Sequence, residues 1–266
     1  MRKAHLLPVT FFAGVLAGMM VSLVSGCSSK PQQQGRAFRV LVVASSDPDH
    51  AAMIARAEAF LAKLAADNHF ALDFTKDPNR IDETTLAGYQ AFVQLQLAPF
   101  NMSPAQQQAL QKYIEQGHGW VGIHAAGLTG RQFISPETPY WQWFEDLMGG
   151  IVYSPHPAFQ KGSVVVEDPS HPVTRNLPES FEISDEWYEF DKSPRPNVRV
   201  LARADESTYK QNKPMGDHPI LWTNEKYARV LYIGIGHAAA LCDDGNFAVL
   251  MRDAILWAAS PAKAKP

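Results

Sequence analysis

The chain has 266 residues, 46% of them hydrophobic, and a formal net charge of −3 from 24 basic and 27 acidic side chains. Both signs of charge are spread along it, which excludes the one-sided basic face of a nucleic-acid binder. There are two cysteines, Cys27 and Cys242, so no disulfide framework is available and stability must come from packing.

Arg2 and Lys3 precede a mostly apolar run from Leu6 to Val24, with small residues and then Cys27 behind it. That is the layout of a signal peptide over residues 1–26. Pro8 and Thr10 interrupt the run and no stop-transfer charge cluster follows, which argues against a stable membrane span. Val24-Ser25-Gly26-Cys27 resembles the lipobox of bacterial lipoproteins. The resemblance implies cleavage before Cys27, lipidation of its thiol, and a place in the cell envelope, facing the periplasm or at the cell surface. The alternatives are an ordinary cleaved signal, with Cys27 incidental, and an uncleaved anchor. Residues 27–37, with three successive glutamines, are polar and aperiodic and read as a flexible tether. One folded domain is predicted over residues 38–260.

Phe38 to Ala44 is a short valine-rich run that suits a strand buried on both faces. From Asp49 to Ala66 the apolar positions Met53, Ala57, Phe60, Leu61 and Leu64 share one helical face. Phe70 to Thr75 reads as a second strand, Leu86 and Tyr89 as a short helix, and Ala91 to Leu95 as a third strand. Ser103-Pro104-Ala105-Gln106 carries a capping box with proline at the first helical position, and Gly117 ends that helix. Gly119 to His124 is the fourth strand. Strands alternating with helices predict an α/β fold with a mostly parallel sheet.

After Arg131 the texture changes to a β-rich elaboration. Aromatic residues and prolines crowd Phe133 to Phe159, and strands are expected within Ser163 to Glu167, Phe181 to Phe190 and Val198 to Ala204. Ile220 to Thr223 and Arg229 to Ile235 read as an antiparallel pair, and Asn246 to Ala259 as a final amphipathic helix.

In a parallel sheet the ligand crevice lies beyond the carboxyl ends of the strands. His124 stands there after GWVGI, and His237 stands there after LYIGIG. The bland alternative is that each imidazole merely satisfies a backbone carbonyl. In FEISDEWYEF, Asp185 and Glu186 interrupt an aromatic strand. Alternation lets one of the two face the crevice, Asp185 with Trp187 or Glu186 with Tyr188. His156, His171 and His218 each precede a proline, which stiffens the loop that presents them. Trp120, Trp141, Trp143, Trp187, Trp222 and Tyr188 supply flat apolar faces. No GxSxG, P-loop or GxGxxG supports a lipase-like, nucleotide or dinucleotide reading. Cys242 reads as structural.

Taken in order, GHGWVGIHAA, FEDLMGG, VEDPSHPVTRNLP, FEISDEWYEF, DHPILW and RVLYIGIGH resemble the trehalose-utilisation ThuA-like family. The resemblance covers nearly all of Phe38 to Ala259. It implies the flavodoxin-like fold of class I glutamine amidotransferases, in which a cysteine occupies the turn where this chain has His124, so glutaminase chemistry is not expected. It further implies a small carbohydrate substrate, such as a glycoside or a 3-keto sugar, and binding of a divalent metal such as zinc in some members. The matching positions are His124, His156, Glu186, His218 and His237. The loop from Gly127 to Arg131 lacks an expected acidic residue, which leaves the substrate open. On this reading His124, Glu186 and His237 are catalytic, and Asp185, Tyr188, His218 and Trp222 bind substrate. His124, His156, Glu186 and His237 are the metal-ligand candidates, unless the same groups share acid–base work without a metal. A non-catalytic sugar-binding lipoprotein is the alternative.

Overall fold

Strand β1 (Arg39–Ala44) turns Val40, Val42 and Ala44 into one core cluster and Leu41 and Val43 into another. A strand covered on both faces is apolar at every position, which is why its run shows no polar alternation. The computed structural model describes Met1, residues 38–136 and residues 139–261. The signal-peptide, Cys27 and tether assignments lie outside the described residues.

Helix α1 (Ala51–Asp67) packs Met53, Ile54, Ala57, Leu61 and Leu64 on the Val40 face, ahead of β2 (Ala71–Thr75). The short α2 (Glu83–Leu86) precedes β3 (Ala91–Leu95). Helix α3 (Pro104–Glu115) starts at the expected capping box of Ser103 and Gln106 and stops at Gly117, whose φ of +90° lies in the region that favours glycine. Strand β4 (Gly119–Ile123) follows, and α4 (Gln142–Leu147) joins α3 on the Leu41 face.

The second half supplies β5 (Tyr153–Ser154), β6 (Gln160–Val166), β7 (Ser180–Asp185), β8 (Glu189–Phe190), β9 (Arg199–Asp205), β10 (Pro219–Thr223) and β11 (Val230–Ile233). Helix α5 (Gly245–Ala259), capped by the Asp244 side chain accepting from the Phe247 N–H, returns to the Val40 face. The described strands form a nine-stranded sheet in the order β2-β1-β3-β4-β11-β10-β9-β6-β7, with a separate β5-β8 pair. The first five run parallel and the rest continue antiparallel. The parallel order is that of flavodoxin-like sheets, whose ligand crevice opens beside the β1/β3 switch point.

One strand assignment is corrected. Phe181 to Phe190 is not a continuous strand, because the chain leaves the sheet after Asp185 and its next pairing is β8 with β5. The Asp185 carboxylate accepts the N–H of Glu186 at 2.7 Å together with two N–H groups beyond β11, and this anchor turns the chain out of the ladder. Among the described residues no helix is long and apolar enough to cross a membrane.

Candidate active site

Four strand ends deliver the site. After β1, the Asp47 side chain accepts the Asp49 N–H and opens a one-turn helix, Pro48–His50, which leaves His50 buried at the foot of α1. After β4, His124 takes φ +53°, a left-handed conformation that few non-glycine residues adopt without support. The support is visible. The Tyr232 hydroxyl donates to the His124 carbonyl at 2.9 Å, and the Gln96 side-chain Oε1 accepts from the Ala125 N–H at 3.3 Å. The same Gln96 amide donates to the Gly236 carbonyl, bracing the turn after β11 that carries His237. A side chain at Gly236 would place its Cβ 2.6 Å from Ile123 Cγ2 and 3.0 Å from His124 Cβ, so this position must be glycine.

The fourth strand end is that of β7. Asp185, fully buried, accepts the N–H groups of Gly236 at 2.7 Å and His237 at 3.1 Å. Burial pushes its carboxyl up, against the backbone donors that favour the anion. The chain turns here so that Glu186 enters the cluster while Asp185 stays beneath it, 4.0 Å from His124 Nδ1 and fully buried. One acid of the pair therefore faces the site, and Asp185, expected to bind substrate, braces the backbone instead. Glu186 Oε2 lies 3.4 Å from His124 Nε2, 3.1 Å from His237 Nδ1 and 3.4 Å from His156 Nε2. Burial opposes its charge, yet the closeness of the His124, His237 and His156 imidazoles holds the Glu186 carboxyl well below the usual carboxylate range. The same closeness raises the His237 imidazole. His50 is held down to about 4, first by burial and then by the charges of His124 and His237.

His50, His124, Glu186 and His237 each offer one ligand atom, and these atoms all lie within 4.8 Å of one another. His50 thus enters the set in which His156 was expected. His156 Nδ1 is taken by the Pro157 carbonyl at 2.8 Å, and its Nε2 approaches Glu186 from the rim. The bland reading of His124 is half right: Nδ1 meets the Gly234 carbonyl at 2.8 Å. A carbonyl can only accept, so Nδ1 carries the proton and, in the neutral ring, Nε2 presents a lone pair toward Glu186. A lone pair facing a carboxylate is unfavourable without a proton or a cation between them. His237 Nδ1, close to Glu186 but not aligned for a hydrogen bond, and His50 Nδ1 are buried without a hydrogen-bond partner. These residues fit a divalent cation.

Of the predicted substrate binders, Tyr188 packs its ring 3.9 Å from that of His124 and stacks on His156 at 5.2 Å. His218 and Trp222 do not join the site. His218 is buried with Nε2 on the Tyr188 carbonyl and Nδ1 near Glu206 and the Tyr209 hydroxyl. Trp222 is a core residue, pressed at 4.6 Å against Tyr232. Cys242 is half-buried with Sγ 3.7 Å from Met53 Sδ, and burial pushes its thiol up to about 11, in keeping with a structural residue.

With this geometry in place, the likenesses to known proteins can be read. The profile of the trehalose-utilisation family, ThuA, matches residues 39–258. A ThuA-like protein of Bacteroides uniformis is 31% identical, with 88% of this chain and 97% of that one covered at a TM-score of 0.77. A ThuA-like protein of Parabacteroides merdae is 18% identical over 86% and 93%, at 0.63. The glutaminase domain of Trypanosoma brucei CTPS, solved with acivicin, is 10% identical over 84% and 94%, at 0.55. The last two likenesses bear on the fold alone. No curated protein matches. The chain belongs to the ThuA family, on the flavodoxin-like fold shared with glutamine amidotransferases.

Proposed function

We propose that the chain is an exported enzyme of carbohydrate metabolism, tethered to the envelope through Cys27, that acts on a glycoside or a 3-keto-sugar derivative by hydrolysis or elimination. A divalent cation such as zinc would be held by His50, His124, Glu186 and His237. The observation that carries this reading is the convergence of those four ligand atoms beside two imidazole nitrogens that have no hydrogen-bond partner. Neutral imidazoles with one carboxylate suit zinc. When bound, such a cation supplies Lewis acidity, polarising a substrate oxygen and making nearby water a better nucleophile.

The chain's own residues do the rest. The Gly234 carbonyl and the Tyr188 ring fix the His124 imidazole, so that Nε2 keeps its aim. Asp185 holds the backbone of Gly236 and His237, which sets the second imidazole at a fixed distance from the first. Glu186 lies among three imidazoles and stays anionic, so it accepts hydrogen bonds from substrate hydroxyls. His156, at the rim, can pass a proton between Nε2 and a substrate oxygen through its contact with Glu186. Glutaminase chemistry is not part of the proposal, because the nucleophile position of that fold holds an imidazole here.

The test is elemental analysis of the chain beginning after Cys27, purified without chelator or histidine tag, beside His124→Ala and Glu186→Ala. A divalent metal near one equivalent, lost in both variants, with turnover of a 3-keto glucoside, is the expected result. A metal-free parent that still turns over the sugar would sink the metal-assisted mechanism. Sugar recovered unchanged from the parent would favour the binding lipoprotein.

A further inference from the structure

Among the described residues the large hydrophobic side chains left exposed are Met1, Ile134 and Phe159. Phe159 is 48% exposed, and its ring centroid lies 6.1 Å from that of His237 at an interplanar angle of 51°. One exposed apolar ring is ordinary in itself, but this one stands beside the imidazole–carboxylate cluster.

Its exposure is not that of a slack loop. Pro155 and Pro157 fix φ on the approach to Phe159. The Asn212 side-chain amide donates to the Pro155 and His156 carbonyls at 3.3 and 2.8 Å. On the far side, Gln160 Nε2 donates to the Ala158 and Lys210 carbonyls at 3.1 and 2.8 Å, while its Oε1 accepts from the Lys210 N–H at 2.9 Å. Trp187 Nε1 donates to the Gln160 carbonyl at 3.1 Å. The backbone is therefore pinned on both sides of a ring that touches little, which is how a preorganised contact surface is built.

We infer that Phe159 is the platform of a sugar subsite. A pyranose ring lays its C–H face on the phenyl ring and turns its oxygens toward His237, Glu186 and His156. The partly exposed His156 ring, backed by the buried Tyr188, supplies a second flat wall beside the same cluster, and the half-buried Glu186 carboxylate supplies the acceptor that a hydroxyl-rich ligand needs. This inference rests on the carbohydrate reading above and gives it a residue-level substrate contact.

The experiment is steady-state turnover of a 3-keto glucoside by the full chain, comparing the parent with Phe159→Ala, Phe159→Leu and Phe159→Trp, with metal content measured on each. Phe159→Ala should raise KM about five- to tenfold, the effect of losing one good ring contact, with kcat and metal content unchanged. Phe159→Trp should restore KM, and Phe159→Leu should not, because a flat face and not mere apolarity is what the sugar meets. An unchanged KM in Phe159→Ala, or full rescue by leucine, would overturn the platform while leaving the carbohydrate reading intact. A parent that neither binds nor turns over any sugar would remove that reading and the platform with it.

Discussion

Among the described residues, two histidine–carboxylate clusters look alike in composition and differ in what their atoms face. In one, His218 meets Glu206, Tyr209 and the Tyr188 carbonyl, Glu206 accepts from the N–H groups of Met215 and Gly216, and Glu189 accepts from those of Asn212 and Lys213. Every one of these contacts ends on the protein, and their sum is a closed loop from Glu206 to His218. In the other, His50, His124, Glu186 and His237 point at one another, and two nitrogens have no hydrogen-bond partner. Buried polar groups are almost always paired. A saturated cluster is therefore architecture, while a converging, unsaturated one is what the proposed cation seat requires.

That contrast can be broken or sharpened by mutation. The largest effect is expected at Asp185, which joins β7 to the turn of His237. Asp185→Ala leaves buried N–H groups unpaired and should cost about 3–5 kcal/mol in urea unfolding, with bound metal lost as well. Next comes His218→Ala, expected to cost about 2–4 kcal/mol while leaving metal content as in the parent. A metal loss there would mean the two clusters are one system. His171 gives the smallest effect. It is buried against Trp257 and held down to about 4 by burial, with Arg199 adding to the shift. The unfolded chain takes up its proton near 6.5 and the folded one near 4, so stability should fall as pH drops through that window. His171→Gln should flatten that part of the pH–stability curve by about 1 kcal/mol, after allowing for partial solvent access.

Much of this was legible in the chain and some was not, for identifiable reasons. GWVGIH and LYIGIGH announce themselves because buried parallel strands are apolar throughout and glycines make room beside each imidazole. His50 is hidden because it abuts the helical pattern that begins at Ala51 and reads as part of it. Asp47 and Pro48 carry the turn signal that would have set His50 at a strand end, where a ligand is expected. FEISDEWYEF alternates well enough to read as one strand, yet its break at Glu186 is caused by N–H groups of Gly236 and His237, far along the chain. His218 and Trp222 carry the right residue types for a site, and composition alone does not distinguish a satisfied imidazole or a packed indole from a working one.

Asp185 also bears on the order of assembly. Strands β1 to β4 can pair through nearby βα units, but β11 joins them from far along the chain, and the carboxylate that fixes the His237 turn arrives on β7, at the far edge of the antiparallel half. Contacts that close long stretches of chain form late when loop entropy dominates the barrier. The ligand seat thus closes only when the end of β7 meets the turn after β11, and metal uptake during refolding would serve as a clock for that long-range contact.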